Sequence, residues 1–491
     1  MQRTFLKLLA LVTLVTAAAP LPSRAEDGPP TAGILDRLAE QSRVYNASAT
    51  GETPKFVVDP TWPRPLPHSW LLGQIGGLYV DRHDHVWVYN RARTLTNDEA
   101  GLEKPLPGAK GPEADPLGHP RTGGFGADCC RAAPSVLEFD AGGKLLRAWG
   151  GPSDPGWLAA HCREEDGCIW PNVEHGIYVD DRDNVWIAGN GADVTKDGGA
   201  WTTNGHGGDG FVLKFDMDGN FKMRIGGTPT AAASNDTGGG AGGTPLLYRP
   251  ADMVVDARTG RLYIADGYGN RRVVILDADT GKYIGHFGAY GSNPVDDAAA
   301  RAAGSWMDDS AKGNTRPAWF RSPVHCVKIT DDGRIYVCDR GNDRIQVFDG
   351  RDPALGKPCS NPAGEAGRCG YLAERFISPR TYAFPVMPGT AVSVNFSTDS
   401  EQSCLYIGDN TNQTIYILNR RNLQELGRLG RAGRMAGDFH WLHQVSIDSG
   451  GNVYTAEVDT GKRLQKFLRW GAMGCSGTGS EEVGGEAPEN R

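Results

Sequence analysis

The sequence predicts an all-β protein, a β-propeller with six blades. Two observations lead to this prediction: a strand–turn–strand pattern recurs along the chain, and further short apolar strands follow it in most units. Repeated units of antiparallel strands are typical of propeller blades. A β-sandwich predicts no fixed repeat and a β-helix needs much shorter repeats, so both are less favoured.

Each unit begins with a strand of alternating apolar residues, passes through an Asp/Gly turn and ends in a second apolar strand. Clear copies are 77–81 with 85–89, 176–180 with 184–188, 252–256 with 261–266, 326–330 with 334–339, and 444–448 with 452–456. This pattern resembles NHL-type repeats. The predicted blades lie near 69–150, 171–227, 248–290, 321–375, 379–430 and 440–470.

Blades five and six depart from the repeat pattern. Blade five fits the pattern least well, and its first strand is predicted near residues 381–386. Blade six lacks a fourth strand, and the apolar segment 55–59 is predicted to supply it. That exchange closes the ring and hides edge strands that otherwise promote aggregation.

The ends of the chain look different from its centre. Residues 1–25 have the pattern of a signal peptide, with Arg3 and Lys7 before an apolar run and Ser23-Arg24-Ala25 at the cleavage site. We expect a flexible leader over 26–54, the propeller over 55–475 and a disordered tail over 476–491. The mature protein is predicted to be soluble and either periplasmic or secreted, two locations that the sequence does not separate.

Ten cysteines fit an oxidising compartment, since their number is even and none shows metal-finger spacing. The spacing favours four pairs, although it leaves the connectivity open: Cys162 with Cys168, Cys326 with Cys338, Cys359 with Cys369, and Cys404 with Cys475. Cys129 and Cys130 are adjacent. The net charge of −8, with both signs mixed along the chain, argues against a nucleic-acid partner. No membrane partner is predicted.

Histidines recur at one position of the repeat, five residues before the residue that ends the innermost strand. We call this position zero. It holds Gly76, His175, Ala251, His325 and His443 in blades one to four and six, and blade five is not aligned. Alternate blades are about 120° apart, so the three imidazoles should meet at the channel axis.

Three histidines and an open position form a catalytic zinc arrangement. The competing interpretation is three separate histidines that bond to strand ends. His440 is the substitute third ligand if the register of blade six is wrong.

Several stretches resemble the peptidyl-α-hydroxyglycine α-amidating lyase family. They are residues 174–180, 249–256, 263–271, 323–327, 337–345 and 438–443. The resemblance implies zinc bound by His175, His325 and His443, with catalytic roles for Tyr268 and Arg91; Arg93 is the near alternative. The implied activity is that of a carbon–nitrogen lyase, a peptidylamidoglycolate lyase, which cleaves the N–Cα bond of peptidyl-α-hydroxyglycine to a peptide amide and glyoxylate.

The resemblance also implies a calcium ion in the channel, held by the backbone carbonyls of Leu78 and Ile177 and by the side chain of residue 444. The family has Asp at that last position and this chain has Gln444, so we expect the calcium site to be weak or empty. The family's methionine near the third histidine is Trp441 here, and its cysteine after the catalytic tyrosine is Gly269.

The expected partner is a small peptide or carbinolamide substrate. The chain is expected to be a lyase alone, fed by a separate monooxygenase that supplies the hydroxylated substrate. The main alternative is a non-enzymatic NHL propeller that binds a protein, peptide or glycan. A lactonase-type propeller hydrolase is less favoured, because that class uses a calcium held by carboxylates and Asn, and the channel mouth here has His, Gly and Ala.

Overall fold

The computed structural model describes residues 53–95, 99, 130–191, 208–229, 234–295, 317–377 and 389–475. This part of the chain contains six four-stranded sheets, and their pairings are antiparallel. They form the six-bladed β-propeller that the repeat predicts. The predicted signal peptide, the tail 476–491 and all but the last two residues of the leader lie outside the described residues.

The strands are numbered in chain order. β1 (Lys55–Asp59) comes first, and β2 (Trp70–Leu71) follows it. Blade one contains β3 (Gln74–Val80), β4 (Val86–Arg91), β6 (Val136–Phe139) and β7 (Leu145–Trp149), with β5 (Arg131–Ala132) paired to β2 beside it. Blade two contains β8 (Glu174–Val179), β9 (Asn184–Gly189), β10 (Gly210–Asp216) and β11 (Phe221–Gly227). Blade three contains β12 (Asp252–Asp256), β13 (Arg261–Asp266), β14 (Arg272–Asp277) and β15 (Tyr283–Phe287).

The remaining blades continue in the same way. Blade four contains β16 (Val324–Ile329), β17 (Arg334–Asp339), β18 (Arg344–Asp349) and β19 (Tyr371–Phe376). Blade five contains β20 (Ala391–Phe396), β21 (Cys404–Asp409), β22 (Thr414–Asn419) and β23 (Glu425–Leu429). Blade six contains β24 (Leu442–Ile447), β25 (Val453–Glu457) and β26 (Leu464–Trp470). A short helix, α1 (Pro155–His161), lies between blades one and two, and single 3-10 turns occupy Pro67–Ser69, Ala92–Thr94, Glu164–Asp166, Ala289–Gly291 and Arg340–Asn342.

Blade six is completed by the start of the chain. β1 pairs with β26, so the sheet order is β1-β26-β25-β24. The prediction that segment 55–59 closes the ring is therefore confirmed. Among the described residues, no helix has the length and apolar character needed to cross a bilayer.

The structure corrects the prediction for blade five. Its innermost strand is Ala391–Phe396, about ten residues later than the predicted 381–386, which lies outside the described residues. The shift also brings blade five into register with the other blades and places Val392 at position zero.

The aspartate of the repeat organises the turn between the first two strands of a blade. In blade two, Asp180 Oδ1 accepts hydrogen bonds from the backbone N–H groups of Arg182 and Asn184, both at 2.9 Å. Its other oxygen, Oδ2, accepts a bond of 2.9 Å from the buried Trp186 indole. One carboxylate thus satisfies the turn and fixes a core side chain, and blades one, three and six also have Asp at this position.

Four disulfides join the cysteine pairs that the spacing favoured: Cys162–Cys168, Cys326–Cys338, Cys359–Cys369 and Cys404–Cys475. Cys326 and Cys338 lie opposite each other on β16 and β17. Cys129 lies outside the described residues. Four disulfides fit a protein that folds in an oxidising compartment such as the secretory route.

Arg344 carries a buried positive charge in blade four. Its guanidinium is fully buried, donates from Nε to Asp339 (2.7 Å) and donates from NH1 to Glu374 (2.9 Å) and to the Tyr290 hydroxyl (2.6 Å). We expect Arg344→Met to lower the free energy of unfolding by about 3–5 kcal/mol, because two buried carboxylates lose their partner. Urea denaturation of the purified protein measures this change.

The matched control is Arg351→Met in the same blade. Arg351 also pairs with an aspartate, Asp349, at 3.0 Å, but its side chain is 64% exposed. An exposed pair contributes less than about 1 kcal/mol, so the free energy of unfolding of this variant should be close to that of the wild type. Equal destabilisation by the two substitutions would contradict the account of the buried cluster.

Candidate functional site

The innermost strand of most blades is interrupted at position zero. In five blades the strand pairing slips there, between Ile75 and Gly77, Glu174 and Ile177, Val324 and Cys326, Ala391 and Ser393, and Leu442 and Gln444. Such bulges re-aim a side chain out of the regular ladder and are frequent beside functional sites. The register inferred from the repeat therefore coincides with a break in the sheet at the channel mouth.

Three histidines from alternate blades meet at this level. The ring centroids of His175, His325 and His443 are 4.9 Å apart in all three pairs. Their possible ligand atoms all lie within 4.8 Å of one another, and the side chains are buried. The arrangement is an equilateral group that could hold a metal ion.

Two backbone carbonyls orient the imidazoles of His175 and His325. His175 Nδ1 lies 2.7 Å from the carbonyl of Ala251, and His325 Nδ1 lies 2.6 Å from that of Val392. Both carbonyls belong to position zero of the next blade. Since a carbonyl only accepts, each Nδ1 carries the hydrogen and each Nε2 keeps its lone pair, as in metal-binding histidines.

The electrostatics keep the imidazoles neutral. Burial lowers the pKa of all three histidines well below the usual value, and the nearby Arg91 and Arg340 guanidiniums lower it further. A histidine binds a metal in its neutral form, so no proton has to be removed first. His325 Nε2 is buried and has no hydrogen-bond partner in the described structure, as expected for an atom reserved for a ligand. These residues fit a metal ion.

Tyr268 lies beside the three histidines. It follows β13, and its hydroxyl is 3.1 Å from His175 Nε2. Its ring centroid is 5.0 Å from that of His175 and 5.7 Å from that of His325. The structure thus brings the predicted tyrosine to the imidazole group.

Arg91 ends β4 and reaches across to blade two. Its Nε donates to the carbonyl of Glu174 (2.6 Å) and its NH1 donates to Gln74 Oε1 (2.9 Å). Position zero of blade one makes room for it, because a Cβ on Gly76 would lie 2.2 Å from the Glu174 carbonyl oxygen and 3.1 Å from Arg91 Nε. A glycine is required there for steric reasons.

The two alternative residues lie elsewhere. Arg93 NH1 donates to the backbone carbonyls of Pro171 (3.2 Å) and Asn172 (2.5 Å), which is a contact between blades. His440 Nε2 lies 2.7 Å from the Thr460 hydroxyl and 3.0 Å from the Arg434 guanidinium. The residue that joins His175 and His325 is His443.

Sequence reasoning missed two arginines. Arg340 is buried and its NH1 lies 3.4 Å from the Tyr268 hydroxyl. The guanidinium carbon of Arg249 lies 5.7 Å from the centre of the Tyr268 ring. Both belong to stretches that carry the family resemblance, but the strand pattern of those stretches does not mark an arginine as part of the site.

The predicted calcium ligands occupy the innermost strands of three blades: Leu78 in β3, Ile177 in β8 and Gln444 in β24. Gln444 Oε1 accepts a bond of 3.1 Å from the Ser393 hydroxyl. On the neighbouring strands, Asp252 is paired with the Lys328 ammonium at 2.7 Å. The Gln444 amide oxygen is uncharged and already bonded, and the Asp252 carboxylate is already neutralised. Both fit calcium poorly, so a weak or empty calcium site remains the prediction.

Comparison with known protein families identifies a repeat in blade four. The NHL repeat family model matches residues 324–348, from β16 to β18 of blade four. The protein is thus a six-bladed β-propeller that carries an NHL repeat.

Several curated proteins are similar to part of the chain. Over 210 residues the chain is 25% identical to peptidyl-glycine alpha-amidating monooxygenase B of Xenopus laevis, covering 43% of this chain and 19% of that protein. Over 222 residues it is 30% identical to NHL repeat-containing protein 3 of Mus musculus, covering 44% of this chain and 45% of that protein. A streptogramin B lyase structure aligns with 84% of this chain and 98% of its own at 11% identity and a TM-score of 0.40, which is too low to base any inference on. The chain spans less than half the length of the two curated relatives.

Proposed function

We propose that this protein is a zinc-dependent lyase that cleaves the N–Cα bond of peptidyl-α-hydroxyglycine, or of a similar carbinolamide, to an amide and glyoxylate. The observation that carries the proposal is the three-histidine group with the Tyr268 hydroxyl 3.1 Å from His175 Nε2. The partial similarity to an amidating monooxygenase agrees with it. A three-histidine site with an open position is typical of catalytic zinc.

The reaction needs a proton to move from oxygen to nitrogen. A metal ion at this site would supply a Lewis acid that polarises the substrate's hydroxyl group. Tyr268 is the general base: its oxygen takes the hydroxyl proton as the carbon–oxygen double bond of glyoxylate forms and the N–Cα bond breaks. The same proton then passes to the leaving nitrogen, which completes the amide.

Arginines support the two ends of this transfer. Arg340, 3.4 Å from the Tyr268 hydroxyl, stabilises negative charge on the phenol oxygen. Arg91 is anchored through Nε and NH1, and among the described residues its NH2 has no hydrogen-bond partner, so NH2 can hold the substrate carboxylate. The histidines, being buried and neutral, add no competing charge.

The test is glyoxylate release from α-hydroxyhippurate by the purified protein. The assay is run on the protein as isolated, after chelation, and after zinc is restored. We expect activity that disappears on chelation and returns with zinc. Bound zinc without glyoxylate would overturn the proposed substrate, and the absence of both would leave the non-enzymatic alternative.

That alternative is an NHL propeller that binds a protein, peptide or glycan. It is favoured by the similarity to NHL repeat-containing protein 3. It predicts that substitution of the three histidines leaves binding unchanged, whereas the lyase loses its metal.

Two further proposals accompany the lyase. A separate monooxygenase supplies the hydroxylated substrate. The chain is exported to the periplasm or the medium, which N-terminal sequencing of the mature protein tests: a mature chain that begins at Glu26 supports export, and one that keeps residues 1–25 contradicts it.

A further inference from the structure

The site contains more positive charge than one substrate carboxylate requires. Besides Arg91, it contains Arg340, whose NH1 lies 3.4 Å from the Tyr268 hydroxyl, and Arg249, whose guanidinium carbon lies 5.7 Å from the centre of the Tyr268 ring. In the described part of the chain, none of the three forms an ion pair with a carboxylate. In the proposed reaction Arg91 holds the substrate carboxylate and Arg340 supports Tyr268. Arg249 is therefore the arginine to which the reaction assigns no function.

Arg249 is held in place by its backbone and by one side-chain nitrogen. Its Nε donates to the carbonyl of Asn190 at 2.8 Å, and its carbonyl accepts the N–H of Tyr268 at 3.1 Å. The residue adopts a φ of +59°, which a non-glycine residue rarely adopts outside functional or turn positions. The side chain is thus fixed against blade two while its backbone supports the catalytic tyrosine.

The other end of the guanidinium is available. In the described residues, the two terminal nitrogens of Arg249 have no hydrogen-bond partner, since only Nε is used. Two adjacent guanidinium nitrogens match the two oxygens of a carboxylate in a planar, bidentate pair. The chemistry favours a carboxylate as the missing partner.

The carboxylate of the hydroxyglycine does not account for this arginine. Arg340 reaches the Tyr268 hydroxyl, while Arg249 lies 5.7 Å from the ring centre, on the side of blade two. One carboxylate held by Arg91 leaves Arg249 unpaired. Among the described residues, its guanidinium contacts the Asn190 carbonyl and the face of the Tyr268 ring, neither of which is a carboxylate that neutralises its charge.

We propose, building on the proposed lyase function, that Arg249 binds a second carboxylate in the acyl part of the substrate. The preferred substrates are then acyl-α-hydroxyglycines with an acidic acyl group, such as a dicarboxylic acid monoamide or a peptide that ends in an acidic residue before the hydroxyglycine. Arg249 is a specificity-determining residue and takes no part in bond cleavage.

The experiment compares two probes, N-succinyl-α-hydroxyglycine and N-succinamoyl-α-hydroxyglycine, which differ only in that a neutral amide replaces the acyl carboxylate. We expect wild-type kcat/KM to be about 10- to 100-fold higher for the succinyl compound, the range given by one charge-assisted bond. Arg249→Gln should remove this preference, mainly through KM. Arg249→Lys should restore part of it, because the charge returns without the planar fork.

The control is Arg434→Gln, which makes the same charge change. Arg434 donates to the Thr460 carbonyl at 3.4 Å and lies outside the proposed substrate contacts. This variant should keep the wild-type ratio of the two kcat/KM values. Because the readout is a ratio, a partial loss of folded protein cancels.

The outcomes separate this inference from the proposed function. Equal kcat/KM for the two probes in the wild type would overturn the acidic preference and leave the lyase intact. A preference that survives Arg249→Gln would overturn the role of this arginine. No glyoxylate from either probe would remove the lyase function, and this inference with it.

Discussion

Replacing Tyr268 with Phe is expected to lower kcat for glyoxylate release by about 10²- to 10⁴-fold, the usual contribution of a positioned general base. The ring would keep its packing against His175, at 5.0 Å between centroids, and only the hydroxyl would be lost. Steady-state kinetics with α-hydroxyhippurate measure the change. Zinc content should stay at the wild-type level, since none of the imidazoles is altered.

Tyr283→Phe is the matched control for this experiment. Tyr283 belongs to the same blade, and its hydroxyl bonds to His286 Nδ1 at 2.8 Å, away from the three-histidine group. Its loss should leave kcat within about twofold, because surface substitutions away from a site have small effects. Activity of Tyr268→Phe at the level of this control would exclude Tyr268 as the base.

Replacing His325 with Ala should abolish both metal binding and activity. Two imidazoles remain in this variant, and a catalytic zinc site needs three protein ligands. The zinc content, measured by mass spectrometry, should fall from about one zinc per chain to background. Glyoxylate release should fall to the rate measured without enzyme.

Thermal unfolding provides a second readout for His325. A ligand that binds only the folded state at about 1,000 times its Kd adds about 4 kcal/mol of stability, so zinc should raise the Tm of the wild type and not that of the variant. His440→Ala is the control, since His440 bonds to Thr460 outside the group. Loss of zinc in His440→Ala with retention in His325→Ala would refute the proposed ligand set.

The periodic part of the fold was predictable from the sequence. Innermost strands such as β8 and β16 follow the same alternation and the same Asp/Gly turn, so the repeat register could be read without a structure. That register alone related His175, His325 and His443, which lie more than a hundred residues apart. The alternation of blades then supplied the threefold geometry.

Blade five was misplaced because its turn is different. After β20 the chain forms a longer turn in which Asp399 Oδ1 accepts the N–H of Ser403 at 3.1 Å, in place of the short Asp/Gly turn. Without that signal the strand Ala391–Phe396 has no fixed reference point in the sequence. Local turn chemistry, and not hydrophobicity, determined which strand could be recognised.

The arginines of the site could not be predicted from the repeat. Arg340 of blade four reaches Tyr268 of blade three, and Arg249 of blade three reaches the Asn190 carbonyl of blade two, so these contacts depend on how neighbouring sheets pack. Similarly, the choice between Arg91 and Arg93 depends on which one has space above Gly76. Such information is absent from strand periodicity.

The pairing of β1 with β26 has a consequence for how the protein matures. The last blade cannot form until the C-terminal part of the chain has been made and has met the first described strand. His443 belongs to that blade, so the third imidazole is added only when most of the chain has been synthesised. A nascent or truncated chain that ends before β24 would therefore contain only two of these three imidazoles and could not assemble the group that we propose binds a metal ion.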